Sequence, residues 1–337
     1  LTVGQGLEQA RQQGETDMMI TRRALTALAA AAIPGLGRAE TYPARPARIL
    51  VGFTPGGATD IQARQAAQWL SERLGQQFLV DNRPGASGNI ATEMAARAAP
   101  DGYTLMQLVS PNAINQALFK TLPFDLLRDF APVICMARLA YVVVVNPALP
   151  VRSIAELIAL AKQAPDRLSY GSAGSGTPQN IAAELFKMMA GVRLLHVPYR
   201  GGALAVTDLL AGHVQVVFAP ISEAIEQIKS GKLRALAVTT AARLDVLAEV
   251  PTVAESVAGY EASGFAGIGA PAGTPEPIVA LLNRELNAGL ADARYRARIV
   301  ELGGTPLGGT PEAFGGLMRQ AVAKWGRVIE FAGIRPD

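Results

Sequence analysis

Apolar and polar positions along the chain switch repeatedly between two periods. Residues 48–53, RILVGF, form a short apolar run suited to a buried strand, and 58–74, ATDIQARQAAQWLSERL, place their apolar residues at helical spacing. The TPGG between them makes this unit strand, glycine loop, helix. The pattern continues with a strand at 77–80, a glycine-rich turn at 84–88, a helix over 89–98, a strand at 103–108 and a helix near 111–118. YVVVV at 141–145 predicts a further strand, after which Pro147 and Pro150 punctuate the chain before a helix over 153–164. Strands at 168–171, 194–197, 214–218 and 233–239 then alternate with helices over 179–190, 202–211 and 221–229. A polar turn at 241–252, an aromatic and glycine-rich stretch, PAGTP at 271–275 and two helices near 277–291 and 311–332 complete the chain. This is the grammar of an α/β protein and not of a helical bundle.

The punctuation after 145 suggests a chain crossover. We place domain one at 42–143 plus 241–337 and domain two at 144–240, with a ligand cleft between them as in other two-lobed α/β proteins. A single continuous α/β domain is the alternative. The C-terminal helices need a packing partner, most economically the first domain.

The first 39 residues read differently. From Met18 the order is an Arg22–Arg23 pair, an apolar stretch to Ile33, Pro34, and small residues before Glu40. That order predicts an export signal at 18–39, with Gly37 and Ala39 placed for cleavage before Glu40. An amphipathic or buried N-terminal helix is the competing reading. Removing 1–39 takes away four arginines and three acids, lowering the formal charge from +3 to +2. A nearly neutral exported protein argues against nucleic acid as a partner. Half of the 337 residues are hydrophobic, yet no later run reaches the length of a membrane span, so a periplasmic location is expected. Cys135 is the one cysteine, and His196 and His213 the two histidines, which leaves few parts for a metal centre. No cofactor or metal is expected.

Candidate chemistry concentrates in glycine loops that open helices. In FTPGGATDIQAR, backbone N–H groups at Gly56, Gly57 and Ala58, with the Thr59 hydroxyl, could hold an anion at a helix start; Phe53 and Asp60 flank them. Asp60 could touch a ligand, or could simply pair with Arg64 one turn later. In YGSAGSGTPQN, Ser172, Gly174, Ser175 and Thr177 surround the start of the next helix. The spacing fits neither a phosphate-binding GxxxxGK nor a dinucleotide GxGxxG, and Ala173 breaks a GxSxG. A purely structural turn is the plain alternative. Ser110 and Asn112 follow the strand at 103–108, and Tyr199, Gly201, Ala203 and Asp208 follow the one at 194–197. A serine with His196 and Asp60 or Asp208 could be drawn as a hydrolytic triad, though no nucleophile elbow accompanies it. Cys135 is read as a small, partly buried apolar residue. No site residue is assigned as catalytic.

FTPGGATDIQAR, DNRPGASGNIA at 81–91 and APDGYTL at 99–105 together resemble the tripartite tricarboxylate transporter substrate-binding family, the Bug receptors. The likeness continues through 150–178, 196–218, 231–243 and 250–256, and extends to PAGTP and the Lys324–Trp325 pair. The resemblance implies a two-lobed periplasmic solute-binding fold, monomeric, that closes around a small organic carboxylate and delivers it to inner-membrane transporter components. It implies ligand contacts from Phe53–Asp60 on one side and from Ser172–Thr177 and Ala203–Asp208 on the other. Gln179 and the Ala219–Pro220–Ile221 segment differ from the polar choices expected in relatives; Pro220 and Ile221, lining the cleft, would reduce donors at its far end and mildly favour an aromatic or less highly charged monocarboxylate over citrate. A solute sensor feeding a signalling system and an exported hydrolase acting on a carboxylated molecule are the alternatives.

Overall fold

A computed structural model describes residues 42–336; the export signal predicted at 18–39 lies outside the described residues. Strands β1 (Ala47–Val51), β2 (Phe78–Asn82), β3 (Thr104–Val109) and β4 (Phe130–Leu139) belong to one sheet. The chain then builds a second sheet from β5 (Tyr141–Val145), β6 (Ser169–Ser172), β7 (Leu195–Pro198), β8 (Val216–Pro220) and β9 (Arg234–Val238). It returns to the first with β10 (Gly264–Pro271) and β11 (Gly304–Pro306), giving the orders β11-β4-β10-β3-β1-β2 and β7-β6-β8-β5-β9.

Helices follow the strands as the periodicity predicts: α1 (Ala58–Leu74), α2 (Asn89–Ala96), α3 (Ser110–Leu118), α4 (Ile154–Gln163), α5 (Pro178–Ala190), α6 (Gly202–Ala211) and α7 (Ile221–Lys229). The C-terminal region adds α8 (Glu276–Ala291), α9 (Ala293–Glu301) and α10 (Pro311–Ala332). β1 runs parallel to β2 and β3, and β6 runs parallel to β7 and β8. Such pairs need helical crossovers, which supply cover for the sheet faces.

The YVVVV run shows why this cover matters. Val143 and Val145 pack into a core shared with Phe186, Phe218, Tyr260, Phe314 and Trp325, while Val142 and Val144 face a smaller core with Leu209, Val217 and Leu233. A strand buried on both faces has no polar alternation to show in its sequence.

The passage between sheets is short: β4 ends at Leu139 and β5 begins at Tyr141. Because β5 pairs with β8 and β9, residues 141–143, placed with the first domain from sequence, lie in the second sheet. The C-terminal helices do find partners in the first sheet, α8 against β4 and α1, and α10 against β4 and α3. α10 also packs against α5 of the second sheet.

Candidate functional site

In the first sheet the glycine loops meet beyond the carboxyl ends of the parallel strands, the usual place for a ligand in an open α/β sheet. A Cβ on Gly52, after β1, would fall 2.7 Å from the Gly88 Cα, and one on Gly88 would fall 3.6 Å from the Phe53 ring. Glycine at 52 lets the loops after β1 and β2 touch, and Gly88 is held to glycine by its φ of 90°. Gly56, Gly57 and Ala58 are exposed where α1 begins, and neither the Gly57 N-cap nor any neighbouring side chain caps that helix. Its first N–H groups therefore point outward with the positive end of the helix dipole.

Asp60 sits beneath this loop, only 2% exposed. Its carboxylate accepts bonds from the Gly56 N–H, Arg64 Nε and Asn82 Nδ2, each at 2.9 Å. Burial would push the carboxyl up, but the bonds from Arg64, Gly56 and Asn82, with the Arg64 charge, outweigh it and hold it below the ordinary aspartate range. Asp60 thus braces the loop, and its pairing with Arg64 is the plainer of the two roles the sequence allowed. Asn112 is likewise committed, accepting from the Val109 N–H at 2.7 Å and donating to Thr92 at 2.9 Å. Ser110 is buried, its Oγ accepting from the Phe265 N–H at 2.7 Å.

The second sheet repeats the arrangement. Ser172 is fully buried at the end of β6, where its Oγ accepts from the Gly174 N–H at 3.1 Å and contacts His196 Nε2 at 2.7 Å. Gly174 (φ 122°) and Gly176 (φ 70°) adopt conformations that L side chains rarely take, and Thr177 caps α5. Ser175 stands half-exposed at the loop tip. Tyr199 donates to Asp208 at 2.8 Å, and burial, then this bond, push its phenol up to about 12. Asp208 also pairs with His213 Nδ1 at 3.4 Å, so the residue orients its loop. Gly201 precedes α6, and Ala203 is exposed in its first turn.

The two loop sets are linked through α3. A Cβ on Gly176 would meet Leu118 Cδ2 at 2.7 Å, and from the same helix Asn115 donates to the Ser87 carbonyl at 3.0 Å and to Asn89 at 2.8 Å. Among the described residues the hydroxyls of Thr59, Ser87 and Ser175 carry no hydrogen-bond partner, which leaves them free as donors to a bound molecule.

Residues 62–334 match the tripartite tricarboxylate transporter family receptor. The chain belongs to this family. BugT of Bordetella pertussis is 36% identical over 311 residues, spanning 91% of this chain and 95% of BugT. Among solved structures, R. palustris Rpa4515 with adipate is 39% identical with a TM-score of 0.75, covering 88% of this chain and all of that one. MatC (Rpa3494) from Rhodopseudomonas palustris with bound malate is 28% identical with a TM-score of 0.71, covering 86% of this chain and all of MatC. The two sheets with their helices are the two lobes of this receptor fold.

Several site features of this receptor escape the sequence reading. Asn82 holds both Asp60 and the Phe53 carbonyl, and Ala86 (φ 46°) and Ser87 (φ 54°) carry backbone strain at the tip of the 84–88 turn. Glu223, in the first turn of α7, lies beside Gly202 and Gln179. Its place just past a parallel strand was the available signal. Two recesses lie elsewhere: about 330 Å³ beside Arg138, Glu261 and Lys324, and about 430 Å³ between α7 and the α9–β11 turn. In the first, Arg138 and Lys324 are both already bound to Glu261. No described helix is long and apolar enough to cross a membrane.

Proposed function

We propose that this chain is a periplasmic receptor that binds a small organic carboxylate between its lobes and delivers it unchanged to the inner-membrane components of a tripartite transporter. The observation that carries this reading is the pair of glycine loops that lead into helices, Gly56–Thr59 at the uncapped start of α1 and Gly174–Thr177 at the start of α5, where Ser175 stands half-exposed at the loop tip, joined through α3. Backbone donors at helix N-termini hold carboxylate oxygens without a lysine or arginine, and water can complete the set. The adipate and malate complexes of two relatives support the ligand class.

In this reading Gly57, Ala58, Thr59, Ser175 and Ala203 reach the ligand, while Gly56 and Gly174, whose N–H groups donate to Asp60 and Ser172, shape the loops that carry them. Asp60, Ser110, Asn112, Ser172, Thr177, Tyr199 and Asp208 hold those loops, and Phe53 forms an apolar wall. The lobes exchange near Ala140 and again between Val238 and Gly264, and closure about these crossovers signals occupancy. The receptor acts as an export-processed monomer lacking residues 1–39.

Calorimetric titration of the processed, ligand-stripped protein with mono-, di- and tricarboxylates tests this, with each mixture assayed chemically afterwards. Saturable one-to-one binding of an unaltered carboxylate is expected. Turnover, or no binding across the series, overturns the reading.

A further inference from the structure

The three parallel strands of the second sheet, β6, β7 and β8, each hand over to a helix, and the three helix starts converge on one point. At Gly202, in the first turn of α6, a Cβ would overlap a Glu223 carboxylate oxygen and come within 2.8 Å of Gln179 Nε2. Glu223 therefore lies over the Gly202 Cα, and glycine there is what makes room for it.

Acids in a first helical turn ordinarily cap the helix or pair with a neighbouring cation. Glu223 does neither: among the described residues it has no hydrogen-bond donor and no ion-pair partner. The Gln179 side chain, only 8% exposed, also has no hydrogen-bond partner although its amide nitrogen faces the same point. That amide is not sealed from solvent, so it stands open to a polar group of a bound molecule. One open carboxylate and one open amide thus lie together beside the Gly202 Cα, where α5, α6 and α7 begin.

Glu223 is exposed, with the Gly202 backbone beside its carboxylate. Desolvation holds its carboxyl above the ordinary glutamate range, and its charge is felt by the Tyr141 phenol at the start of β5. A second ligand carboxylate brought there would meet a like charge. A cationic nitrogen would meet its counter-ion.

Resting on the carboxylate-receptor reading, we propose that Glu223 is a specificity-determining residue selecting zwitterionic ligands, whose carboxylate is held by the glycine loops and whose ammonium pairs with Glu223. Gln179 supplies a further polar contact to that end of the ligand.

The test uses matched ligands of four to six carbons: monocarboxylates, dicarboxylates, and amino acids bearing the ammonium at the α or ω carbon. Each is titrated calorimetrically into the processed wild-type protein, Glu223→Gln and Glu223→Ala, with thermal unfolding as the folding control. At least one amino acid is expected to bind wild type tenfold or more tightly than the dicarboxylate of equal length. Both variants should lose that preference, and Glu223→Gln should bind dicarboxylates more tightly than wild type does. A wild-type preference for dicarboxylates, or an unchanged preference in both folded variants, overturns the proposal while leaving the receptor reading intact. Failure of every carboxylate to bind overturns both.

Discussion

Ser172 Oγ and His196 Nε2 stand 2.7 Å apart across the parallel β6–β7 pair, with the imidazole stacked on Tyr170 at 4.8 Å between ring centroids. The geometry invites comparison with a catalytic dyad, but the Ser172 hydroxyl is tied to its own loop, within 3.1 Å of both the N–H and the carbonyl of Gly174. The hydroxyl is also fully buried. Ser172→Ala is expected to lower unfolding free energy by about 1–2 kcal/mol, through the unmet Gly174 N–H, and to weaken carboxylate binding. Urea unfolding and calorimetry measure both. Ester hydrolysis by wild type that vanishes in the variant would instead restore the hydrolase alternative.

Asp60 offers a prediction in acid. Its folded carboxyl is held below the ordinary aspartate range, so its stabilisation is complete above the unfolded value near pH 4 and is lost as pH falls through the folded value. Asp60→Asn should cost about 2 kcal/mol at pH 7 and flatten the acid dependence below pH 4. Urea midpoints at pH 7 and pH 3 are the measurement; parallel losses in wild type and variant would count against the assignment.

Gly52 and Gly88 let two loops share one space. Gly52→Ala places its methyl 2.7 Å from the Gly88 Cα and should cost about 1–3 kcal/mol while separating the loops after β1 and β2. Carboxylate affinity should fall even where the variant remains folded. Retention of full affinity would show that contact between these loops does not shape the site.

Cys135 lies in β4, its thiol against the carbonyls of Ala137 and Ala266 at 3.6 and 3.8 Å. Burial pushes the thiol up to about 12, so almost no thiolate exists at neutral pH. Its reaction with a thiol-specific reagent is expected to be slow in the native protein and complete on unfolding in urea. Rapid native labelling would mean that β4 opens locally.

Much of this molecule is written in its periodicity. The strand and helix units from 47 to 118 and from 141 to 238 are legible because short apolar runs alternate with helical periodicity, with glycine or proline marking many of the turns between them. β4 is not, because FAPVICMARL contains Pro132 and is largely buried without alternation. β10 hides behind its glycines, which weaken strand propensity but here admit neighbours: a Cβ on Gly267 would strike the Phe314 ring at 2.6 Å, and one on Gly269 would strike Leu108 at 2.5 Å. At the site, the glycine loops are evident from sequence. That Asp60, Ser172 and Asn112 face inward as braces is not, since a polar residue beside a ligand and one beneath a loop have the same local sequence. Glu223 shows the converse, an acid whose ordinary first-turn position conceals the lack of any partner.

The position of β10 between β3 and β4 bears on how the protein is made. Every strand of the second sheet lies within residues 141–238, so all of them emerge before β10 and β11. The first sheet is still incomplete at that point. Until residues 264–271 emerge, β3 has one open edge and β4, whose other neighbour β11 comes later still, has two. Unpaired edges of apolar strands are templates for aggregation, so the nascent chain carries its greatest hazard in the half that was synthesised first.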